Sequence, residues 1–186
     1  MRQALKDLAF ELEPKIIEKT TIPSNWDPDQ LTSRLWGYNL FDFDYQVVRD
    51  LKDHIAAQYE DYVNELHFPI EKCYVHGWVN ILRTGQRIGA HHHSDAHCNA
   101  PGESAYVSGN VCISAENTKT YYSSPYCQQN AAGLNNNPGD MFLFPSFIIH
   151  RTDKNESQEP RISYAFDIIV EKIYKEKNPE IFVPLN

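Results

Sequence analysis

The chain is poor in the residues that mark many common catalytic and scaffold motifs. It has four cysteines, Cys73, Cys98, Cys112 and Cys127, and no CxxC pair. Their wide spacing fits neither a zinc ribbon nor a compact disulfide scaffold. Reduced thiols in a cytoplasm-like compartment are therefore expected. The eight glycines form no GxGxxG, no GxxxxGK[ST] and no GxSxG. Dinucleotide-binding loops, P-loops and serine-hydrolase elbows drop out. No apolar run approaches the ~18 residues of a membrane helix. The opening MRQALKDLAFELEP carries acids early and lacks an apolar core, so no signal peptide and no membrane association are expected. Positive charge is in the minority: 17 Lys and Arg stand against 25 Asp and Glu, a net charge of −8. A nucleic-acid partner, which needs a dominant basic patch, is not expected.

What is present is an ordinary globular composition, 41% hydrophobic and 23% charged, in 186 residues. The length fits a single domain over residues 1–186, with a full core. No internal repeat is visible. Residues 1–35 carry Pro14, Pro23 and Pro28 and read as short strands or turns. Residues 44–66 read as a helix, because Val47, Leu51, Ile55, Tyr59 and Tyr62 recur at steps of three or four. Beyond Pro69 the texture changes. Residues 73–83, 106–114, 140–150 and 161–170 are rich in β-branched and aromatic residues and are bounded by Gly, Pro, Asn or Asp. The run Asn135-Asn136-Asn137-Pro138-Gly139-Asp140 marks a turn. Tyr121, Tyr122 and Tyr126 fall in a polar stretch that reads as a loop. The tail from Glu171 reads as a short helix or strand ending on the surface. Strands in succession without intervening helices predict a mainly β fold, a sandwich, jelly roll or barrel, with the helix packed outside one sheet.

The densest chemical signal is Gly89-Ala90-His91-His92-His93-Ser94-Asp95-Ala96-His97. On an extended chain residues 91, 93 and 95 share a face. Either His91/His93 or His93/Asp95 then aims two ligands at one point. His150, at the end of an apolar run, is the candidate for a third ligand from elsewhere in the chain. Two imidazoles and a carboxylate on one side of a metal leave open positions opposite, which suits Fe(II) oxygen chemistry. The competing reading is a solvated, adventitiously sticky loop. Arg161 opens the strand after His150 and shares a face with Ser163. A guanidinium facing the inside of a barrel is costly unless it meets an anion, and its planar fork matches a carboxylate.

The ordered elements Gly77-Trp78-Val79-Asn80-Ile81-Leu82, His91-x-His93-x-Asp95, Ser108-Gly109, Pro138-Gly139-Asp140, Leu143-Phe144-Pro145-Ser146, His150-Arg151 and Arg161-Ile162-Ser163 resemble the Fe(II)/2-oxoglutarate-dependent oxygenases. The resemblance covers roughly residues 70–170 and is strongest to small phage and bacterial members related to prolyl 4-hydroxylases. It implies a double-stranded β-helix (jelly roll) and a dioxygenase, a hydroxylase in the first instance. The implied cofactors are Fe(II) and 2-oxoglutarate, and the implied partners are O2 and a small-molecule or peptide substrate. It implies a cytoplasmic setting in a bacterium or phage host.

By the same resemblance His93 and His150 are metal ligands, with His91 and Asp95 competing for the third place. Arg161 and Ser163 hold the far carboxylate of 2-oxoglutarate. Asn80, Tyr106 and Asn110 are candidates for hydrogen bonds to the co-substrate. Residues 95–104 look like an insertion that forms a lid. Two other readings stand beside this one: a cupin-type three-histidine dioxygenase without 2-oxoglutarate, and a non-catalytic jelly-roll binding module.

Overall fold

The computed structural model describes residues 1–21, 31–93, 107–124, 126–177 and 180–186. Among the described residues are the α-helices α1 (Arg2–Lys19), α2 (Gln46–Glu65) and α3 (Glu171–Lys177) and the strands β1 (Cys73–Leu82), β2 (Val107–Ser114), β3 (Lys119–Ser124), β4 (Cys127–Asn135), β5 (Met141–Pro145), β6 (Ile149–Thr152), β7 (Arg161–Val170) and β8 (Val183–Pro184). A five-stranded sheet runs β5-β2-β7-β1-β8 and a three-stranded sheet runs β4-β3-β6. The segment before His93 extends the smaller sheet through an antiparallel bridge between His91 and His150. Apart from the β3-β4 pair and the terminal β8, successive extended segments alternate between the two sheets, the winding of a jelly roll.

The strand runs segregate by period two. On β1, Cys73, Val75, Val79 and Ile81 face the helices; on β7, Ile162, Tyr164, Phe166, Ile168 and Val170 do so. These join Leu5, Leu8, Leu12 and Ile16 of α1 and Leu51, Ile55 and Tyr59 of α2 in one core. The opposite faces carry Trp78 and Asn80 on β1 and Arg161, Ser163 and Asp167 on β7, whereas Tyr74 and His76 on that side of β1 pack against Tyr174, Phe182 and Trp36. Gly109 is required on the outer face of β2. A Cβ there would lie 2.4 Å from the Phe166 ring and 2.8 Å from the Phe142 carbonyl oxygen.

Several expectations need correction. Where strands or turns are expected over residues 1–35, Arg2–Lys19 is a helix, and residues 22–30 lie outside the described ones. Leu5, Leu8, Ala9, Leu12 and Ile16 form a buried helical stripe, and its burial outweighs the one backbone hydrogen bond that Pro14 cannot donate. In α2 the core stripe is centred one residue later than expected: Val48 and Val63 are buried, whereas Val47 and Tyr62 flank the core. The single strand expected over 140–150 is two strands in different sheets. Between them Ile148 N–H donates to the Pro145 carbonyl at 2.9 Å, closing a turn. Tyr121 and Tyr122 lie in β3, paired on both sides with β4 and β6, not in a loop. The C-terminal tail is not a surface ending, because Phe182 and Leu185 are buried and β8 pairs with β1. Among the described residues, no helix is long and apolar enough to cross a membrane.

Candidate metal centre

His150 lies on β6, and His91 lies directly opposite it. The two exchange backbone hydrogen bonds, His91 N to His150 O at 3.0 Å and His150 N to His91 O at 2.8 Å. Directly opposed antiparallel residues project their side chains to the same side, so the imidazoles meet, with ring centroids 4.2 Å apart. His93 is two residues further along, on the same face. Its backbone N–H donates to the Ser146 carbonyl at 2.9 Å. Its ring centroid lies 5.0 Å from that of His91 and 4.9 Å from that of His150. The ligand nitrogens of the three all lie within 4.8 Å of one another.

Each ring has one nitrogen engaged by an acceptor. His91 Nδ1 lies 2.8 Å from the Gly89 carbonyl, His150 Nδ1 lies 3.1 Å from the Ile148 carbonyl, and His93 Nδ1 lies 2.7 Å from Asp167 Oδ1. Carbonyls and carboxylates only accept, so Nδ1 carries the hydrogen in all three rings, and Nε2 keeps its lone pair wherever the ring is neutral. Anchoring the outer nitrogen in this way is how metal-binding histidines are oriented. Burial, with His91 and His93 beside it, pushes the His150 pKa down to about 3. Burial, with His93 beside it, lowers that of His91 as well. Burial also opposes the His93 imidazolium, but Asp167 overrides it and the His93 pKa is raised. Two of the three rings are thus held neutral, the form that binds metal.

Arg161 is 3% exposed on the inner face of β7. Its Nη2 donates to Thr120 Oγ1 at 3.2 Å, and its Nε and Nη1 have no partner among the described residues. Unpartnered buried N–H groups carry their full desolvation cost, and a carboxylate is the group that meets them best. Ser163 lies on the same face, where Asn80 Nδ2 donates to its hydroxyl at 3.3 Å. Asn80 Oδ1 in turn accepts from Thr32 at 2.6 Å. Asn110 Nδ2 donates to the Tyr122 hydroxyl at 3.1 Å. The structure therefore gathers His91, His93, His150, Arg161, Ser163, Asn80 and Asn110 on inward faces. Asp95, Tyr106 and the expected lid over 95–104 lie outside the described residues.

Thr120 and Asp167 escaped the sequence reading, which placed Tyr122 in a loop and noted Ser108 only within a motif. Tyr122 pairs in register with His150 across β3 and β6, and its ring stands 5.0 Å from Phe144. Thr120 shares its face. Ser108, on β2, donates to Asp167 Oδ1 at 2.6 Å and lies 2.9 Å from Ser146 Oγ. Asp167 is 3% exposed. An acid within the apolar strand RISYAFDIIV is the one signal that would have found it, because a carboxylate is rarely buried without a purpose.

Residues 76–167 match the family described as "Putative 2OG-Fe(II) oxygenase". No curated protein matches the chain by sequence. Among solved structures, the non-heme alpha ketoglutarate dependent carbocyclase SnoK from nogalamycin biosynthesis is similar, with a TM-score of 0.62 and 12% identity over 91% of this chain and 74% of that one. A prolyl-4-hydroxylase from Pseudomonas putida gives 0.55 and 12% over 92% and 88%. The alpha ketoglutarate dependent epimerase SnoN from nogalamycin biosynthesis gives 0.51 and 16% over 68% of this chain, which spans 57% of that protein's length. At these identities the likeness is one of fold. The family match falls on the jelly-roll strands that carry the histidines, so residues 76–167 resemble a family whose description implies Fe(II) and 2-oxoglutarate as cofactors.

Proposed function

We propose that the protein is an Fe(II)- and 2-oxoglutarate-dependent hydroxylase acting on a small-molecule or peptide substrate, with O2 as oxidant. His91, His93 and His150 hold the metal, and Arg161 and Ser163 hold the far carboxylate of 2-oxoglutarate. When bound, the two cofactors supply an oxidation driven by decarboxylation of 2-oxoglutarate. The prolyl 4-hydroxylase of the same fold is the precedent for the hydroxyl outcome.

The observation that carries this reading is the buried guanidinium with two nitrogens unpartnered among the described residues. It faces the same inner space as three converging imidazoles. The residues present fit both cofactors. Three lone-pair nitrogens suit a divalent transition metal, and a half-satisfied guanidinium suits a dicarboxylate. Tyr122, opposite His150, and Thr120, at Arg161, are one two-residue step apart, roughly 7 Å along a strand. A five-carbon diacid bridges such a gap. The chain's own residues then bind, orient and exclude water. Arg161 neutralises the carboxylate in a low-dielectric setting. Asn80 and Asn110 present amides on the inward faces of β1 and β2. Trp78, Phe142, Phe144 and Tyr122 wall the space.

The test is succinate formation from 2-oxoglutarate under Fe(II) and O2. Wild type turns over, and His150→Ala loses both turnover and metal binding. Arg161→Ala keeps the metal but needs at least ~30-fold more 2-oxoglutarate, the equivalent of about 2 kcal/mol for a truncated buried charge contact. Unchanged 2-oxoglutarate dependence in Arg161→Ala would favour the three-histidine dioxygenase without that co-substrate. Absence of both metal binding and turnover in wild type would leave only a binding module.

A further inference from the structure

We propose that Asp167 supplies, from one shell out, the negative charge that a three-imidazole metal site lacks, making His93 the electron-rich ligand of the set. The inference rests on the reading of His91, His93 and His150 as the ligands. A site with two imidazoles and a carboxylate places one negative charge directly on the metal. Three neutral imidazoles place none, and leave the full charge of a divalent ion in a buried setting, where uncompensated charge is costly.

The three rings are not equivalent behind the site. His91 and His150 turn Nδ1 to neutral carbonyls, those of Gly89 and Ile148. Only His93 turns Nδ1 to a carboxylate, at 2.7 Å. That carboxylate is built in from two strands. Asp167 projects from β7, and Ser108, its registered neighbour on β2, donates to the same Oδ1 at 2.6 Å. An oxygen that receives two donors acts as an acceptor, as the ionised form does. A carboxylate accepting the outer N–H of a ligating histidine raises the basicity of the inner nitrogen and fixes the tautomer, and loss of such a partner lowers metal affinity 10–100-fold. Asp167 is a positioning residue in this role: it acts on the metal through His93.

The experiment titrates the apo-protein with Co(II) and measures the reduction potential of the iron-loaded form. Wild type, Asp167→Asn and Ser108→Ala are compared. Asp167→Asn keeps the size and an acceptor oxygen but removes the charge. It is expected to bind Co(II) about 10–100-fold more weakly and to raise the iron potential, because the oxidised ion loses more stabilisation than the reduced one. Ser108→Ala, which keeps the charge, is expected to move both readouts less. A merely structural role for Asp167 would leave the potential in place. Equal affinity and potential in wild type and Asp167→Asn overturn the proposal while the ligand set stands; failure of wild type to bind Co(II) sinks the ligand set itself. Should Asp167→Asn fail to fold, nitrogen-15 NMR of the zinc-loaded wild type decides. The His93 Nδ1 proton is expected well downfield of those of His91 and His150, and coincident shifts overturn the proposal.

Discussion

Every residue of β7 from Arg161 to Val170 is buried, yet its two faces do opposite work. Ile162, Tyr164, Phe166 and Ile168 meet α1 and α2 in a core of aliphatic and aromatic carbon. Arg161, Ser163 and Asp167 face the smaller sheet and carry polar groups that water would serve better. The outer face stabilises the fold through removal of apolar area. The inner face, with polar groups taken out of water, costs stability. Burial by itself therefore says nothing about role; what each face meets decides it.

Three substitutions or conditions probe this contrast, from the largest expected effect down. Phe166→Ala on the outer face opens a cavity against the helices and is expected to cost about 3–5 kcal/mol in denaturant unfolding, while the folded fraction still binds metal. If metal binding fails before folding does, the two faces are not separable.

Acid is expected to act next, through the inner space. The His150 pKa is depressed to about 3, and that of His91 is also lowered. A group held neutral in the fold contributes stability that is fully present above its unfolded value, ~6.5 for histidine. That contribution falls away as pH drops toward the folded value. His93, with its raised pKa, works with the opposite sign, contributing below the unfolded value and losing its part as pH rises. The apo-protein should therefore lose stability as pH falls from about 6.5 toward 3, and His150→Ala should flatten that slope in urea melts at stepped pH. A slope unchanged in His150→Ala would place the acid response elsewhere.

The smallest effect is the most pointed. Arg161→Met removes a buried guanidinium with two nitrogens unpartnered among the described residues and fills the space with apolar atoms. It is expected to raise stability by about 1 kcal/mol while abolishing the response to 2-oxoglutarate. Lower stability in a thermal melt would mean that the guanidinium is already well paired in the free protein.

Much of this arrangement was legible in the chain. The alternation along residues 161–170 separates Arg161 and Ser163 from Ile162, Tyr164 and Phe166, because strand side chains point to opposite faces. The same rule puts His91 and His93 together. Less legible was α1, since Pro14 reads as a breaker and the stripe from Leu5 to Ile16 shows its value only when β2 and β7 cover it. The β3-β4 hairpin was missed because its sequence, KTYYSS followed by CQQNAAGLN, is polar. One side of that sheet faces outward, where Tyr121 carries the Arg151 guanidinium 4.1 Å from its ring centre.

Local order along the backbone was enough to say which neighbouring side chains share a face, where the β-rich half begins, and which cofactor chemistry the histidine pattern favours. These follow from short-range geometry that repeats every two or every three to four residues. The meeting of His150 with His91, and of Asp167 with His93 across 74 positions, came only with the fold. Such pairings depend on the register between strands distant in the chain, and register is settled jointly by both packed faces of the sheet.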